Sequence, residues 1–583
     1  MKPFPTIKEI ILLMYTRIHR RKTVLVALSF LILLLVLSGR LITIQLFNSN
    51  NLTHLANMQH WTKRSIEPER GIIFDSGMRK LAMNKRMDSI YADSLKIKNR
   101  GEAASLLSPI LGMDKDVLQE RLGSGRPFVW LKRKVSDEVS RSVRGLKING
   151  IGFIAESKRF YPHGELASHI IGFAGMDNNG LEGAELFYDG YLRGRQGWSL
   201  VERDAKRRLL SSYEKDNLDA IDGYNLVLTI DQVVQYIAEK AIEKAFEDWK
   251  PNSAAIIVMN PKNGDILAMA NRPAFDPNLF NNFSADTRRN RSITDIYEPG
   301  STFKVITASS VLEEGLVHLH ERFFCENGAY RVTGGHVLHD HVPHGWLTFE
   351  EIIDESSNIG VYKVAARIDG GRFYRYLKDF GFGEIAGIDL PGEAKGIVYP
   401  RNKWSKLSMM ALPMGHEIGV TSLQMLCAVS TIANKGVLIK PRIASSIKDK
   451  DGNVIKSYKP EERRRVVSED TARLVTEILV KAVEDGTGVN ARLNGYRAAG
   501  KTGTAQKIEP NGEYSHTKFV ASFIGFAPAD APVISIAVVI DEPKGSYYGG
   551  TVAAPVFKYV ASELLKYLEV SPESSGRLVE AKR

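Results

Sequence analysis

The chain has 583 residues, too many for a single ordinary domain, and its 44% hydrophobic content is typical of globular proteins, so two or three domains are expected. The net charge of +11 is spread along the chain without a long basic run carrying interleaved aromatic residues. This pattern favours work near anionic surfaces or polymers and disfavours a dedicated nucleic-acid binder. Cys325 and Cys427 are the only cysteines, which excludes a disulfide framework and a cysteine zinc site and leaves one bridge open.

The N-terminal part of the chain predicts a membrane anchor. Residues 23–39 form an uncharged apolar run, and residues 41–47 extend it past Arg40, close to the roughly 20 residues that a helix needs to cross a bilayer. A basic cluster precedes the run and nearly uncharged residues follow it. The positive-inside rule therefore places residues 1–22 in the cytoplasm and the chain after residue 48 outside. Because no small-x-small cleavage site follows, an uncleaved anchor at 23–47 is favoured over a cleaved signal peptide.

The first extracytoplasmic region, residues 48–225, contains no catalytic constellation and is interpreted as a spacer or docking region. Its local patterns predict a hairpin at 70–77, a helical segment at 101–123, and strands at 128–131 and 152–160. Residues 161–197 are rich in glycine and predict a series of short elements joined by loops.

The second region, residues 226–570, shows strand patterns at both ends with helices between them, which predicts an α+β domain whose sheet is completed by distant segments. Asp231 is a good N-cap for a helix over 233–246. The other patterns predict a hairpin at 254–270 and a mostly helical stretch at 301–434. They also predict strands at 519–526 and 533–541 and a closing helix at 554–567. The polar residues 571–583 are predicted to be disordered.

Residues 297–304 read as a turn that delivers a serine to the mouth of a helix, because a proline and a glycine precede an apolar-periodic run. Ser301 and Lys304 share one face of that helix, and a lysine beside a serine hydroxyl is a candidate proton acceptor for a nucleophile. A serine cap with a solvated lysine is the alternative. The pattern Ser-x-x-Lys is not distinctive by itself, since it also begins at three other serines: Ser212, Ser445 and Ser515.

Two further motifs lie downstream. Ser356 and Asn358 stand between two helical patterns, where a loop would present both polar side chains. Lys501-Thr502-Gly503 occurs once in the chain, in a strand-like stretch whose small residues would let a substrate backbone lie along a strand edge. There Lys501 and the hydroxyls of Thr502 and Thr504 would hold a carboxylate.

Ser-x-x-Lys, Ser-x-Asn and Lys-Thr-Gly, in this order and at wide spacings, resemble the motif set of penicillin-binding proteins and class A β-lactamases. The match at Ser301 is the one with family-like distances to the other two motifs. Further segments resemble class B penicillin-binding proteins over about residues 20–568: the anchor, Arg70-Gly71-x-Ile73-x-Asp75, residues 161–185, and Gly549-Gly550 with Ala554-Pro555. Residues 297–300 and 506–507 are more similar to the cell-division type than to the elongation type. Residues 76–77 and 414–417 depart from the usual family pattern.

The resemblance implies an α+β fold with three parts. A penicillin-binding transpeptidase or serine β-lactamase-like domain, with an antiparallel sheet and a helical subdomain, would occupy residues 226–570. It would stand on an elongated α+β pedestal of the dimerisation type at 48–225, and one N-terminal transmembrane helix would anchor the whole. The resemblance implies no glycosyltransferase domain before the pedestal.

The resemblance also implies a mechanism in which no metal or cofactor is required. Lys304, kept neutral by burial and by Lys501, would act as general base on the nucleophile Ser301. The other implied roles are proton relay by Ser356, orientation by Asn358, substrate binding by Lys501, Thr502, Gly503 and Thr504, and an oxyanion hole from the backbone N–H groups of Ser301 and Thr504.

The implied substrates are peptidoglycan stem peptides and their lipid-linked precursor, with β-lactam antibiotics as inhibitors. A membrane-embedded glycosyltransferase and other division proteins are the implied partners, at the septum of the inner membrane and without nucleic acid. An elongation-type transpeptidase, a D,D-carboxypeptidase, and a non-enzymatic β-lactam sensor or division scaffold are the alternatives. A class A β-lactamase is disfavoured because its Glu-x-x-x-Asn pattern is absent between Asn358 and Lys501.

Four histidines cluster around Asp340 in the segment before the Ser-x-Asn motif: His336, His339, His341 and His344. Metal ligands usually come from a rigid element with a defined spacing, so a polar loop lining the cleft is favoured over a metal site. His416 and Glu417 are interpreted as structural. Cys427 lies on an apolar helical pattern and is interpreted as a core thiol.

Overall fold

The computed structural model describes residues 6–203, 209–332, 335–509 and 511–572. The chain forms two compact units. The first draws on Met1–Pro68 and Arg195–Ile221, and the second on Glu69–Gly194 and Asp222–Arg583. Most of the tail predicted to be disordered, from residue 573 onward, lies outside the described residues.

The first unit begins with the helix Ile7–Ile42, which continues as a π-helical turn over Thr43–Phe47. None of the described side chains of the long helix is buried, and Ile7–Phe47 is long and apolar enough to cross a membrane. The helix begins before the apolar run because basic residues are good helix formers. The remaining elements are the helix Ser49–His60 and an antiparallel sheet in the order Trp61–Ile66, Gly197–Arg203, Leu209–Leu218.

Seven strands of the second unit form one sheet, antiparallel except where Asn225–Leu228 runs parallel to Ile73–Phe74. Ile73 pairs with Ala82, which confirms the hairpin predicted at 70–77. Six of the strands lie side by side in the order Val454–Ser457, Ala444–Lys448, Asn225–Leu228, Ile73–Phe74, Lys80–Ala92, Val129–Val135. The seventh strand, Ile151–Phe160, pairs with Lys80–Ala92.

Three helices share a buried cluster with this sheet, and each begins at a residue whose side chain caps it: Arg100–Leu111 at Asn99, Lys115–Gly123 at Asp114, and Asp137–Gly145 at Ser136. Leu107, Leu111 and Leu118 are fully buried in the cluster. The helical periodicity predicted over 101–123 is therefore confirmed as two helices rather than one, because Gly112 takes a left-handed conformation that ends the first.

A five-stranded antiparallel sheet carries the second half of the chain, in the order Ile266–Arg272, Ser253–Met259, Ile534–Asp541, Tyr514–Ala527, Ala499–Ile508. Neighbouring residues of its buried strands alternate between two clusters. Ile256 packs with the helices Gln232–Trp249 and Ala554–Tyr567, and Ile257 packs in the cluster that includes Ser422–Ala433. The sheet combines strands near residue 255 with strands near residue 535, which confirms the α+β prediction.

The remaining longer helices of the second unit pack with the second face of this sheet in the largest cluster: Lys304–Glu313, Phe349–Asp354, Asn358–Ala365, Gly370–Asp379, Ser422–Ala433 and Glu469–Glu484. Cys325 and Cys427 are both buried free thiols, so the bridge that the sequence left open does not form in this structure.

Short elements complete the described part of the second unit. Its short α-helices are Ser168–Ile171, Gly183–Phe187, Asp189–Leu192, Ala285–Arg288, Arg291–Thr294, Ser408–Ala411 and Gly549–Val552. Its 3-10 helices are Pro277–Asn282, Gly300–Phe303, Glu326–Gly328, Arg401–Lys403, Leu412–Met414 and Val489–Ala491. Paired short strands are Phe173–Ala174 with Gly180–Glu182, Arg322–Phe324 with Trp346–Thr348, Ala329–Arg331 with Val337–His339, Ile397–Val398 with Ile418–Gly419, and Val437–Ile439 with Glu462–Arg465.

Candidate active site

Ser301 lies in a tight 3-10 turn, Gly300–Phe303, that leads directly into the helix Lys304–Glu313. Gly300 has φ +55° and donates its N–H to the carbonyl of Gly415 at 3.1 Å. A side chain at Gly300 would be strained by this φ and would bring a Cβ to 3.2 Å from that of Ala505. The predicted serine at a helix mouth is confirmed, with a 3-10 turn in place of the first α-helical turn.

Glu298, just before the turn, ties it to two other segments. Its carboxylate lies 2.9 Å from His416 Nδ1 and accepts the Glu417 backbone N–H at 2.8 Å. The Tyr514 hydroxyl donates to the same carboxylate at 3.3 Å. His416 and Glu417 therefore contact the segment that positions the serine, and no sequence pattern indicated Glu298 as their partner.

Lys304 is fully buried and its Nζ has three oxygen partners. It donates to the Ser356 carbonyl at 2.5 Å and to Asn358 Oδ1 at 2.8 Å, and it lies 3.2 Å from the Ser356 hydroxyl oxygen. Burial, and then the positive charge of Lys501, hold the pKa of Lys304 well below its usual 10.5. The Ser301 hydroxyl makes no hydrogen bond to the described part of the chain, so it is free to approach a substrate.

The Ser356-to-Asn358 segment is held by its own backbone and by Asp340. Ser356 has φ +59°, which places its carbonyl and hydroxyl together on Lys304. Asp340 accepts the Asn358 N–H at 2.5 Å and the Ile359 N–H at 2.9 Å. Its other oxygen accepts the Ser357 hydroxyl at 2.6 Å. Asp340 is thus the side chain that fixes this turn at the start of the helix Asn358–Ala365. The sequence alone showed Asp340 as a neighbour of four histidines and gave it no role.

The histidine-rich loop contributes contacts of other kinds. The His339 carbonyl accepts the Asn358 side-chain amide at 3.0 Å, and the His341 ring lies 5.2 Å from the ring of Tyr548. In the described ranges, no three His, Cys, Asp or Glu side chains come together in a geometry that could hold a metal ion.

Lys501 lies on the edge strand Ala499–Ile508 and is 1% exposed. Its Nζ donates to Thr487 Oγ1 at 3.2 Å and lies 3.4 Å from Thr502 Oγ1, which itself donates to Thr487 Oγ1 at 2.9 Å. Burial lowers the pKa of Lys501 to about 8, whereas the negative charges of Asp354 and Glu355 oppose the shift. Thr487 is a member of the site that no sequence motif indicated.

Gly503 and Thr504 bring this strand against the turn that carries Ser301. A Cβ at Gly503 would lie 2.8 Å from Thr302 Cγ2 and 3.0 Å from the Pro299 carbonyl, so only glycine permits the approach. Thr504 Oγ1 accepts the Gly549 N–H at 3.1 Å, which leaves the threonine hydroxyl proton free to donate.

The edge strand pairs only with Tyr514–Ala527 within the described sheet, so the backbone groups along its other edge are open to an extended peptide. A cavity of about 530 Å³ lies at its C-terminal end, lined in part by Tyr297, Glu298, Gln506 and Tyr514. This volume is in the range of small-molecule sites. The structure therefore joins Lys304, Ser356 and Asn358 by hydrogen bonds, and packs the strand of Lys501 to Thr504 beside the Ser301 turn.

The family model of the penicillin binding protein transpeptidase domain matches residues 254–562, and that of the penicillin-binding protein dimerisation domain matches residues 65–228. Among curated relatives, Stage V sporulation protein D of Bacillus subtilis is 35% identical over 95% of this chain and 87% of its own length. Peptidoglycan D,D-transpeptidase FtsI of Escherichia coli is 31% identical over 94% of this chain and 91% of its own length.

Solved structures agree with these relatives. A peptidoglycan synthetase from Bifidobacterium adolescentis superposes with a TM-score of 0.71 at 27% identity, covering 88% of this chain and 98% of that one. Penicillin binding protein 3 of Mycobacterium tuberculosis, complexed with aztreonam, gives a TM-score of 0.69 at 28% identity, covering 87% and 98%. The motif residues, the fold and the similarities together show that this chain belongs to the class B penicillin-binding proteins, a family of serine-type peptidoglycan D,D-transpeptidases.

Proposed function

We propose that this protein cross-links peptidoglycan stem peptides through an acyl-enzyme on Ser301 during septal wall synthesis. The observation that carries the proposal is the state of Lys304. This lysine is fully buried, is bonded to Ser356 and Asn358, and lies one helical turn from the serine, and burial and then Lys501 hold its pKa well below the usual value. A neutral amine in that position is a base for a serine nucleophile.

In the proposed first step, Lys304 accepts the Ser301 proton as the serine oxygen attacks the penultimate D-alanine carbonyl. The backbone N–H groups of Ser301 and Thr504 stabilise the developing oxyanion. Ser356, bonded to Lys304, returns the proton to the departing D-alanine, and Asn358 orients Lys304 and the substrate amide.

The substrate carboxylate is proposed to bind at the edge strand. Lys501 supplies the positive charge, and the free proton of the Thr504 hydroxyl supplies a hydrogen bond. Thr502 supports Lys501 through Thr487, and Gly503 lets the strand approach the serine turn. The amine of a second stem peptide then takes the acyl group from Ser301. A β-lactam would be attacked in the same way, which is consistent with the solved relative that holds aztreonam.

We further propose the domain plan and membrane orientation that the sequence predicts. Residues 1–22 are cytoplasmic, 23–47 cross the inner membrane, 48–225 form the pedestal and 226–570 form the catalytic domain. The apolar helix and the basic cluster before it support this orientation. A lipid-linked precursor, a membrane-embedded glycosyltransferase and other division proteins would then meet the chain at the outer face.

The single test of the chemistry is acylation by a labelled penicillin, measured as intact mass on the detergent-solubilised full chain. Wild type is expected to gain one adduct and Ser301→Ala none. An equal adduct on Ser301→Ala would refute the nucleophile. Rapid loss of the adduct would indicate a β-lactamase, and release of D-alanine from a stem-peptide substrate without a cross-linked product would indicate a carboxypeptidase.

A sporulation role is the second candidate, because the 35% identical relative is named for sporulation whereas the 31% identical relative is FtsI. Depletion in growing cells separates the roles. Filaments are expected for a septal enzyme, and spheres would indicate the elongation type. Normal growth with failed spores would favour the sporulation role.

A further inference from the structure

Asp354 is a buried carboxylate whose position no motif explains. It is the last residue of the helix Phe349–Asp354 and is 5% exposed. Its Oδ1 is buried without a hydrogen-bond partner, and no ion pair reaches its carboxylate from the described part of the chain. Burying a carboxylate without a partner is costly. A carboxylate kept in such a place indicates an electrostatic effect on the titratable groups around it.

One threonine connects Asp354 to the substrate-binding lysine. The Asp354 carbonyl accepts the Thr487 N–H and the Thr487 hydroxyl, both at 3.4 Å. The same threonine oxygen accepts Lys501 Nζ at 3.2 Å. The approach is close, since a Cβ at Gly486 would lie 2.7 Å from the Asp354 carbonyl. The end of this helix and the Lys501 side chain are therefore held on two sides of Thr487.

Of the two lysines whose charges act on Asp354, Lys501 is the buried one. Lys481, on the neighbouring helix Glu469–Glu484, is bonded to Glu350 at 2.6 Å and is 40% exposed. Glu355 is exposed to solvent. Lys501 makes no ion pair with the described residues, and the negative charges that act on it are those of Asp354, which is buried, and then of Glu355, which is exposed. Burial raises the pKa of Asp354 to about 7, and Lys481 and Lys501 oppose the shift while Glu350 and Glu355 add to it.

We propose that Asp354 is a positioning residue that sets the charge of Lys501. Its carboxylate keeps Lys501 protonated for the substrate carboxylate, and the resulting ammonium keeps Lys304 neutral for the serine. The proposal rests on the function proposed above. It adds a residue outside the three motifs, and it predicts a pH dependence that a purely structural role would not produce.

The direction of the effect follows from the charges. Ionised Asp354 raises the pKa of Lys501, so its removal lowers that pKa and Lys501 loses its proton at a lower pH. At an effective dielectric constant of about 20, a unit charge roughly 10 Å from a titrating group shifts its pKa by about one pH unit, which sets the scale of the expected effect. Below pH 7, wild-type Asp354 takes up a proton. A neutral substitute therefore changes little at acidic pH and changes most above neutrality.

The experiment measures the second-order acylation rate constant of the full-length protein with a fluorescent penicillin across acidic to alkaline pH. Asp354→Asn removes the charge and keeps the shape, whereas Asp354→Glu keeps the charge. Glu355→Gln is the matched control, because it removes an exposed carboxylate one residue away that solvent screens. Melting temperatures are recorded for each variant at the lowest and highest pH.

In the profile of the acylation rate constant against pH, the alkaline limb is the range in which the rate falls as pH rises. Asp354→Asn is expected to move this limb to a pH lower by about one unit and to reduce the rate constant roughly fivefold there. At acidic pH its rate constant should be near that of wild type. Asp354→Glu should restore the limb, and Glu355→Gln should shift it by less than about a third as much. An unchanged profile, or one lowered equally at every pH with a lower melting temperature, would overturn the proposal. If Asp354→Asn does not fold, Asp354→Ala takes its place: an alkaline limb that moves down would support the proposal, and one that stays would overturn it. Failure of the wild type to form an adduct at any pH would instead refute the proposed function.

Discussion

Replacement of Gly503 by alanine tests whether the contact between the edge strand and the serine turn is needed for acylation. The added Cβ would lie 2.3 Å from Ser522 Oγ, 2.8 Å from Thr302 Cγ2 and 3.0 Å from the Pro299 carbonyl. The serine hydroxyl can rotate away. Thr302 cannot, because its hydroxyl is bonded to that same carbonyl at 2.8 Å and its side chain is fully buried.

The strand itself must therefore move away from the turn. Overpacking of this kind costs about 1–3 kcal/mol, and each kcal/mol lowers the melting temperature by about 1–2 °C in a domain of roughly 350 residues. A displacement approaching 1 Å between Lys501 and Ser301 costs roughly a hundredfold in rate. We expect a moderate loss of stability and a much larger loss of acylation.

The assay is the rate of adduct formation with a labelled penicillin, beside a thermal melt. Gly101→Ala is the matched control, because no atom lies within 4 Å of its Cβ and the position is in the helix Arg100–Leu111. It should acylate as wild type and be as stable or slightly more stable. Acylation of Gly503→Ala within a factor of about three of wild type would refute the argument that this contact aligns the site.

Three further changes test other parts of the structure. Asp340→Asn replaces an acceptor of three hydrogen bonds by a group that presents N–H to one donor, so acylation should fall about tenfold or more. Glu185→Gln removes the buried charge paired with Arg70 at 2.6 Å and Arg159 at 2.5 Å, and should cost about 3–5 kcal/mol in the free energy of unfolding. His169→Gln should abolish a loss of stability on acidification, because burial lowers the pKa of His169 from about 6.5 to about 4 and the unfolded chain binds the proton first.

The measurements are a penicillin acylation rate for Asp340→Asn, and denaturant unfolding for the other two. Asp177→Asn is the control for Glu185→Gln, since Asp177 is 74% exposed in its ion pair and should contribute at most about 1 kcal/mol. For His169, wild-type stability should fall between pH 6.5 and 4 by up to about 3 kcal/mol more than that of the variant. The same dependence of stability on pH in wild type and His169→Gln would contradict the role given to His169. An unchanged free energy of unfolding in Glu185→Gln would contradict the argument from the buried ion pairs, and an unchanged acylation rate in Asp340→Asn would contradict the role of Asp340.

Elements with strong local signals were predicted well from the sequence. The closing helix lies at Ala554–Tyr567 as predicted, because its apolar spacing and its proline near the start are local properties. Asp231 caps its helix as predicted, by accepting the N–H groups of Val233 and Val234. Strand order was beyond the same reasoning. Asn225–Leu228 lies between Ile73–Phe74 and Ala444–Lys448, and no local pattern encodes such partners.

The amino-acid sequence specifies which chemical groups are available: a serine and a lysine one turn apart, a Ser-x-Asn turn, and a lysine between small residues on a strand. How these groups behave depends on the folded chain. The pKa of Lys304 depends on burial and on Lys501, and the pKa of Lys501 depends on burial and on Asp354. Charge and desolvation act through space between segments distant in the chain, so Asp340, Thr487 and Asp354 become visible only when the chain is folded.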